Sequence, residues 1–160
     1  MIYIGIDPGA SGGIAWLRDG TATLRKMPAS EQDILDALAA IWQDREDFAP
    51  IEPMEVKHGL YAMLERVHAM PGQGVASTFK FGASFGALKM ALTASRIPYD
   101  LVPPGVWQRA MGCLSRGDKR VTRHRAQQLF PGLKITHATA DALLMAEYCR
   151  RKLSGILAAG

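Results

Sequence analysis

Cysteine is scarce in this 160-residue chain, and long hydrophobic runs are missing. The two cysteines, Cys113 and Cys149, form neither a CxxC pair nor a zinc-ligand spacing, which argues against a structural zinc site and favours a reducing compartment. No run approaches the roughly 18 apolar residues that cross a bilayer, and the chain does not begin like a signal peptide. We therefore expect a cytoplasmic protein without membrane association.

Length and composition set the size of the core. Of the residues, 48% are hydrophobic, in a chain of 17.4 kDa. This is enough for one substantial core and too little for two ordinary domains. We expect a single domain over residues 1–160.

Charge is divided unevenly along the sequence. Residues 1–104 carry nine Lys and Arg against twelve Asp and Glu, whereas residues 105–160 carry ten against three. Five of the basic residues fall between positions 116 and 125. Such a concentration favours a polyanionic partner, and the alternative is an ordinary solvated helix face.

Hydrophobic patterning predicts an α/β fold whose sheet has five mixed strands flanked by helices. Three antiparallel strands come first, with Asp19-Gly20 as a hairpin turn, and a helix follows Ser30, which with Asp33 fits a capping box. Residues 44–58 contain five acids and two prolines and predict a surface loop. The remaining predictions are strands over 60–67 and 99–102 and helices over 84–95, 106–111, 119–130 and 138–153.

Three acidic residues stand where an α/β sheet exposes side chains at its rim. Asp7 follows the first strand, Glu65 lies near the end of the fourth, and Asp141 is in the first turn of the last helix. Each alone is more typical of turn or capping chemistry. Together they predict a cluster of like charges, which is costly unless cations neutralise it.

The ligand chemistry of such a cluster points to a hard divalent cation. Carboxylate oxygens without thiolate partners favour Mg²⁺, with Mn²⁺ as a substitute, over zinc. Two such ions about 4 Å apart can promote phosphodiester hydrolysis without a protein nucleophile.

Three segments resemble the RuvC-type Holliday junction resolvases, in particular their small phage-associated branch. They are Ile4-Gly5-Ile6-Asp7-Pro8-Gly9, the stretch from Leu64 to Gly74, and the stretch from Ala140 to Tyr148. The similarity runs in order over nearly the whole chain. It implies an RNase H-like fold, a homodimer that grips four-way DNA, paired nicks, and, for a phage-encoded protein, a bacterial host cytoplasm.

The resemblance also implies the roles of individual residues. Asp7, Glu65 and Asp141 match three members of a catalytic, metal-binding tetrad, and His137 falls on the fourth position. There an imidazole replaces a carboxylate ligand or acts near the attacking water, and the sequence leaves both roles open.

Two further groups are candidate DNA contacts. Lys119, Arg120, Arg123 and Arg125 are predicted phosphate partners. The segment Phe79-Lys80-Phe81 offers two aromatic rings for unstacked bases with a lysine between them, or rings that pack against the next helix or a partner subunit. The apolar side of the following helix is a candidate dimer surface, although core packing gives the same pattern.

Other functions stay open on the sequence. A less selective flap or branched-DNA nuclease would use the same acids. An actin-like nucleotide-binding ATPase also places an Asp-Gly turn after its first strand, but that architecture normally duplicates the domain. A non-catalytic DNA-binding module is the third alternative, disfavoured by the retention of all three acids.

Overall fold

The computed structural model describes residues 1–43, 59–68 and 74–157. The predicted loop at 44–58 therefore lies outside the described residues. The strands are β1 (Ile2–Asp7), β2 (Gly13–Arg18), β3 (Thr21–Lys26), β4 (Leu60–Glu65) and β5 (Tyr99–Val102). The helices are α1 (Glu31–Gln43), α2 (Val75–Ala94), α3 (Pro104–Ala110), α4 (Lys119–Leu129) and α5 (His137–Leu153).

The five strands form one mixed sheet in the order β3-β2-β1-β4-β5. β1 pairs antiparallel with β2 and parallel with β4, and β5 is parallel to β4. Asp19 and Gly20 both adopt positive φ, of 47° and 82°, as a two-residue hairpin turn requires. The Ser30 hydroxyl accepts from the Asp33 backbone N–H at 3.1 Å. The predicted sheet, hairpin and helix start are confirmed.

Helices cover both faces of the sheet. On one face, α1 and α2 pack against isoleucines of β1 such as Ile4 and Ile6. On the other face, α3, α4 and α5 enclose Met63 of β4. Because side chains alternate along a strand, each buried strand supplies apolar groups to both cores.

The approach of α5 to β1 is unusually close. A Cβ at Gly5 would collide with backbone atoms of Ala142 and Ala146, so only glycine allows the helix to lie so near the strand. Gly13 of β2 has the same role beside Ala138, whose carbonyl would lie 2.6 Å from an added Cβ. These two contacts fix the first turns of α5 over the carboxyl end of β1.

The predicted start of α2 is wrong. The helix begins at Val75, nine residues before the predicted start at position 84, and contains Gly82 and Gly86. No atom of the described residues lies within 4 Å of a Cβ added at either glycine, so on this side they weaken the helix without interrupting it. The packing of Leu88 and Leu92 into the core stabilises the helix instead.

The candidate dimer surface on this helix is wrong for a related reason. Leu88, Ala91 and Leu92 are buried against the chain's own sheet. The opposite side of α2 exposes Phe79 and Met90, at 77% and 66% of their surface. Other element boundaries differ from the predicted ones by one or two residues.

Across residues 1–43, 59–68 and 74–157, no helix is both long and apolar enough to span a bilayer.

Candidate active site

Asp7 and Glu65 are the last residues of two neighbouring parallel strands. The register pairs Ile6 with Leu64, so the two carboxylates follow side by side at the same edge of the sheet. Asp7 is 7% exposed, and Glu65 is half-buried. The turn after β1 encloses Asp7 further, since an added Cβ at Gly12 would meet the Asp7 carbonyl.

Asp141 reaches the same edge from the helix above it. It lies in the first turn of α5, which the glycine contacts hold against β1. The negative charges of Glu65 and Asp141 both raise the pKa of Asp7, and that of Asp141 raises the pKa of Glu65. The structure thus brings together the three acids that the sequence singled out.

Burial and mutual repulsion make this cluster electrostatically expensive. Burial, together with the charges of Glu65 and Asp141, raises the pKa of Asp7 to about 8. Burial also raises the pKa values of Glu65 and Asp141. A buried carboxylate cluster of this kind favours either a bound proton or a bound cation.

Lys119 is the principal counter-charge in the cluster. Its positive charge lowers the pKa of Asp7, Glu65 and Asp141 alike, although burial outweighs it at each. Lys119 is the first residue of α4. The sequence predicted it as a phosphate partner, and its proximity to all three acids adds a second setting for the same charge.

Trp107 is a site residue that the sequence analysis did not single out. Its indole Nε1 donates to Glu65 Oε1 at 2.9 Å, and its side chain is completely buried in α3. The hydrogen bond favours the ionised form of Glu65, against the effect of burial. Trp107 falls within the predicted helix over 106–111, and nothing in that local pattern indicates a hydrogen bond to Glu65.

The donor set fits a hard divalent cation. Asp141 Oδ1 is buried and has no hydrogen-bond partner among the described residues, an arrangement that is unfavourable unless a ligand supplies the missing positive charge. Within the described part of the chain, no three Asp, Glu, His or Cys side chains stand as a complete set of metal ligands.

His137 begins α5, one helical turn before Asp141. Its side chain is exposed, and its charge lowers the pKa of both Asp141 and Asp118. It stands between the carboxylate cluster and the surface of α4. Its role as ligand or proton-transfer group stays a prediction.

The basic residues of α4 differ in how far their donors are already used. Arg120 is paired with Asp118, with Nη2 to Oδ2 at 3.0 Å. Arg125 Nε donates to the Met111 carbonyl at 2.8 Å. Arg123 is half-buried, and its Nε has no hydrogen-bond partner within residues 1–43, 59–68 and 74–157.

The aromatic segment lies on α2 and not in a loop. Phe79 is exposed, whereas the Phe81 ring packs against Gly9, at 3.0 Å from an added Cβ there. Lys80 and Phe81 line a cavity of about 600 Å³ between α2, the turn after β1 and residues 27–29. One ring therefore faces solvent, and the other forms part of a groove along the turn after β1.

Comparisons with known proteins identify the fold. No protein-family model matches the chain, and no curated protein matches its sequence. Among solved structures, the chain is similar to RuvC of Thermus thermophilus, with a TM-score of 0.59 and 17% identity over 97% of both chains. It is also similar to T. thermophilus RuvC in complex with a Holliday junction substrate, with a TM-score of 0.58, 17% identity, and coverage of 97% and 96%. The predicted RNase H-like fold is confirmed.

Proposed function

We propose that this protein is a divalent-metal-dependent endonuclease that resolves four-way DNA junctions by paired, symmetric nicks. The observation that carries the proposal is the convergence of Asp7, Glu65 and Asp141 at one sheet edge, where burial and repulsion leave their charge uncompensated. The basic surface of α4 adjoins this cluster, and the fold is that of a protein whose structure includes a Holliday junction substrate.

Asp7, Glu65 and Asp141, with His137 as a fourth candidate, would hold Mg²⁺ or Mn²⁺, in our proposal two ions. When bound, such ions supply activation of the attacking water and stabilisation of the leaving 3′-oxygen. The chain's own contribution is rigidity: α5 fixes Asp141 against β1, and Trp107 orients Glu65 through its indole N–H.

Lys119 and the arginines of α4 would hold the DNA backbone. Lys119 interacts with all three acids, so it places positive charge where a scissile phosphate would approach them. Phosphate contacts position the strand but do not read its sequence.

Paired nicks need two active sites, and each chain supplies one. We therefore include a homodimer in the proposal, since a two-fold assembly matches the symmetry of a four-way junction. The open side of α2, with Phe79 and Met90 exposed, is the surface we assign to the second copy. Sedimentation at micromolar concentration should give the mass of a dimer, and a Met90→Glu variant should sediment as a monomer.

The test of the function is cleavage of labelled synthetic DNA. A four-way junction, a flap and a linear duplex of shared sequence are each incubated with Mg²⁺, Mn²⁺ or EDTA. We expect symmetric, metal-dependent nicks confined to the junction, lost in Asp7→Asn while junction binding remains. Equal cutting of all three substrates would replace the proposal with a less selective nuclease, and binding without cutting would leave a DNA-binding module.

A further inference from the structure

A pocket with a basic lining opens between the surface of α4 and the first residue of α5. It encloses about 400 Å³. Its lining residues are Arg120, Arg123, His124, Gln127 and His137. None of these described lining residues is acidic, so the pocket offers hydrogen-bond donors and positive charge to a ligand.

Arg123 contributes a donor that the protein itself does not use. Its Nε is buried and has no hydrogen-bond partner among the described residues. Leaving a charged N–H buried without an acceptor is unfavourable, and such groups in folded proteins nearly always find one. An anionic molecule in the pocket would supply the kind of acceptor that this N–H lacks.

The charge balance indicates what kind of anion fits. The Arg120 guanidinium is already paired with Asp118 through Nε at 3.1 Å and Nη2 at 3.0 Å. Arg123 thus supplies the principal positive charge of the pocket that is not already paired with a described carboxylate. This suits a phosphodiester, with one negative charge, better than a multiply charged anion.

The position of the pocket links it to the carboxylate cluster. His137 lines the pocket and precedes Asp141 by one turn of α5, so the two side chains start about 6 Å apart. A DNA strand presents a phosphate about every 3.4 Å along the duplex axis. A strand with one phosphate at the carboxylate cluster therefore continues past the pocket that His137 and Arg123 line.

We infer that this pocket holds a non-reacting backbone phosphate of the DNA strand, with Arg123 Nε donating to one of its oxygens. The identity of the ligand as DNA depends on the proposed function. Arg123 is then a positioning residue, because a strand held at a second phosphate has its register fixed relative to Asp7 and Asp141.

The direct test observes the Nε–H group itself. Uniformly ¹⁵N-labelled protein in EDTA is titrated with a short single-stranded oligonucleotide, and in a second series with inorganic phosphate. The arginine Nε–H signal that is missing in Arg123→Lys should shift and saturate in both series. A signal that stays in place while the oligonucleotide binds would overturn the inference, and a response to inorganic phosphate alone would restrict the pocket to free anions.

The second test separates the Arg123 hydrogen bond from its charge. In an Asp7→Asn background with EDTA, Arg123→Lys should weaken junction binding about tenfold while the salt dependence stays the same. Arg123→Gln should also reduce the slope of log affinity against log salt by about one. Arg96→Lys, an exposed change in the turn before β5, should alter neither quantity.

Binding of Arg123→Lys at the parental affinity would overturn the assignment of Nε. These measurements need no cleavage, so they separate the two proposals. If the wild type did not nick the junction but its Arg123 Nε–H still responded to DNA, only the nuclease proposal would fail. If Arg123→Lys nicked the junction at the same positions and bound it with the same affinity, only the pocket proposal would fail.

Discussion

Helix α5 carries two acidic side chains, Asp141 and Glu147, whose surroundings are opposite. Glu147 is 5% exposed and accepts from Arg150 Nε and Arg151 Nε, each at 2.7 Å. Burial alone raises the pKa of Glu147, but the hydrogen bonds from both arginines outweigh it and lower the pKa. Asp141 Oδ1 is buried without a partner in the described part of the chain, and burial raises the pKa of Asp141.

The difference separates a carboxylate that stabilises the fold from one available for a ligand. At Glu147 the protein supplies the counter-charge, so the group is complete in the folded chain. At Asp7, Glu65 and Asp141 the opposing groups are hydrogen bonds from Trp107 to Glu65 and from Thr122 to Asp141 and the charge of Lys119. Burial outweighs them, so the cluster gains most from a bound cation.

The largest expected effect is on cleavage at the cluster of Asp7, Glu65 and Asp141, the site that lacks a full counter-charge. Asp141→Asn should lower the junction-cleavage rate by about 10³-fold, because a neutral amide is a poor ligand for a divalent cation. Single-turnover cleavage with saturating enzyme measures it. Asp100→Asn, which removes a half-exposed ion pair with Lys152, is the matched control and should cleave normally. Loss of less than tenfold in Asp141→Asn would argue against its role as a ligand.

At the complete site the expected effect is on stability. Glu147→Gln leaves two arginines beside a neutral side chain and should lower the free energy of unfolding by about 3 kcal/mol. Urea denaturation measures the change, and Asp100→Asn should cost less than about 1 kcal/mol. If the two variants were equally stable, the burial of Glu147 would have no energetic consequence.

Neutralising one carboxylate of the Asp7, Glu65 and Asp141 cluster should instead raise the free energy of unfolding. The pKa of Asp7 is about 8 in the folded chain, against 3.8 for an unperturbed aspartate, so the folded chain binds more protons and becomes less stable as pH rises between these values. Asp7→Asn removes this penalty and should raise the free energy of unfolding by about 2 kcal/mol at pH 8.

The pH dependence supplies the control for Asp7→Asn. Its advantage over the wild type should shrink towards pH 4, where protonation of the folded carboxyl relieves the repulsion. Saturating Mg²⁺ should stabilise the wild type more than the variant. An advantage that is independent of pH, or a variant less stable at pH 8, would contradict the assigned origin.

The smallest effect tests the orientation of Glu65. Trp107→Phe removes the indole donor and keeps most of the apolar volume, so cleavage should fall about tenfold and its pH profile should move to higher pH. Trp42→Phe, on the other face of the sheet, is the control for losing a buried indole. An unshifted pH profile with reduced stability would reduce Trp107 to a packing role.

Local sequence patterns were sufficient for the features that depend on neighbouring residues. Alternation and turn chemistry predicted the strands, and with them the positions of Asp7 and Glu65 at strand ends. The start of α2 was wrong because helix propensity around Gly82 was overridden by packing elsewhere in the helix.

Contacts between distant segments were beyond the sequence. The hydrogen bond from Trp107 to Glu65 joins residues 42 positions apart. Likewise, the basic run gave four arginine and lysine candidates that the sequence could not tell apart. In the structure, Arg125 donates to the chain's own backbone, whereas Arg123 Nε has no partner among the described residues. Such differences depend on tertiary packing and not on local pattern.

Gly5 links the stability of the fold to the spacing of the acidic residues, two properties that are separable in many enzymes. Any side chain there would push α5 from β1, and with it Asp141 from Asp7, two residues beyond Gly5. Selection for folding alone would therefore preserve the spacing of the acids, even in a population that never used them. Conversely, a second-site change that restored the thermal stability of a Gly5 variant would not by itself restore the distance between helix and strand.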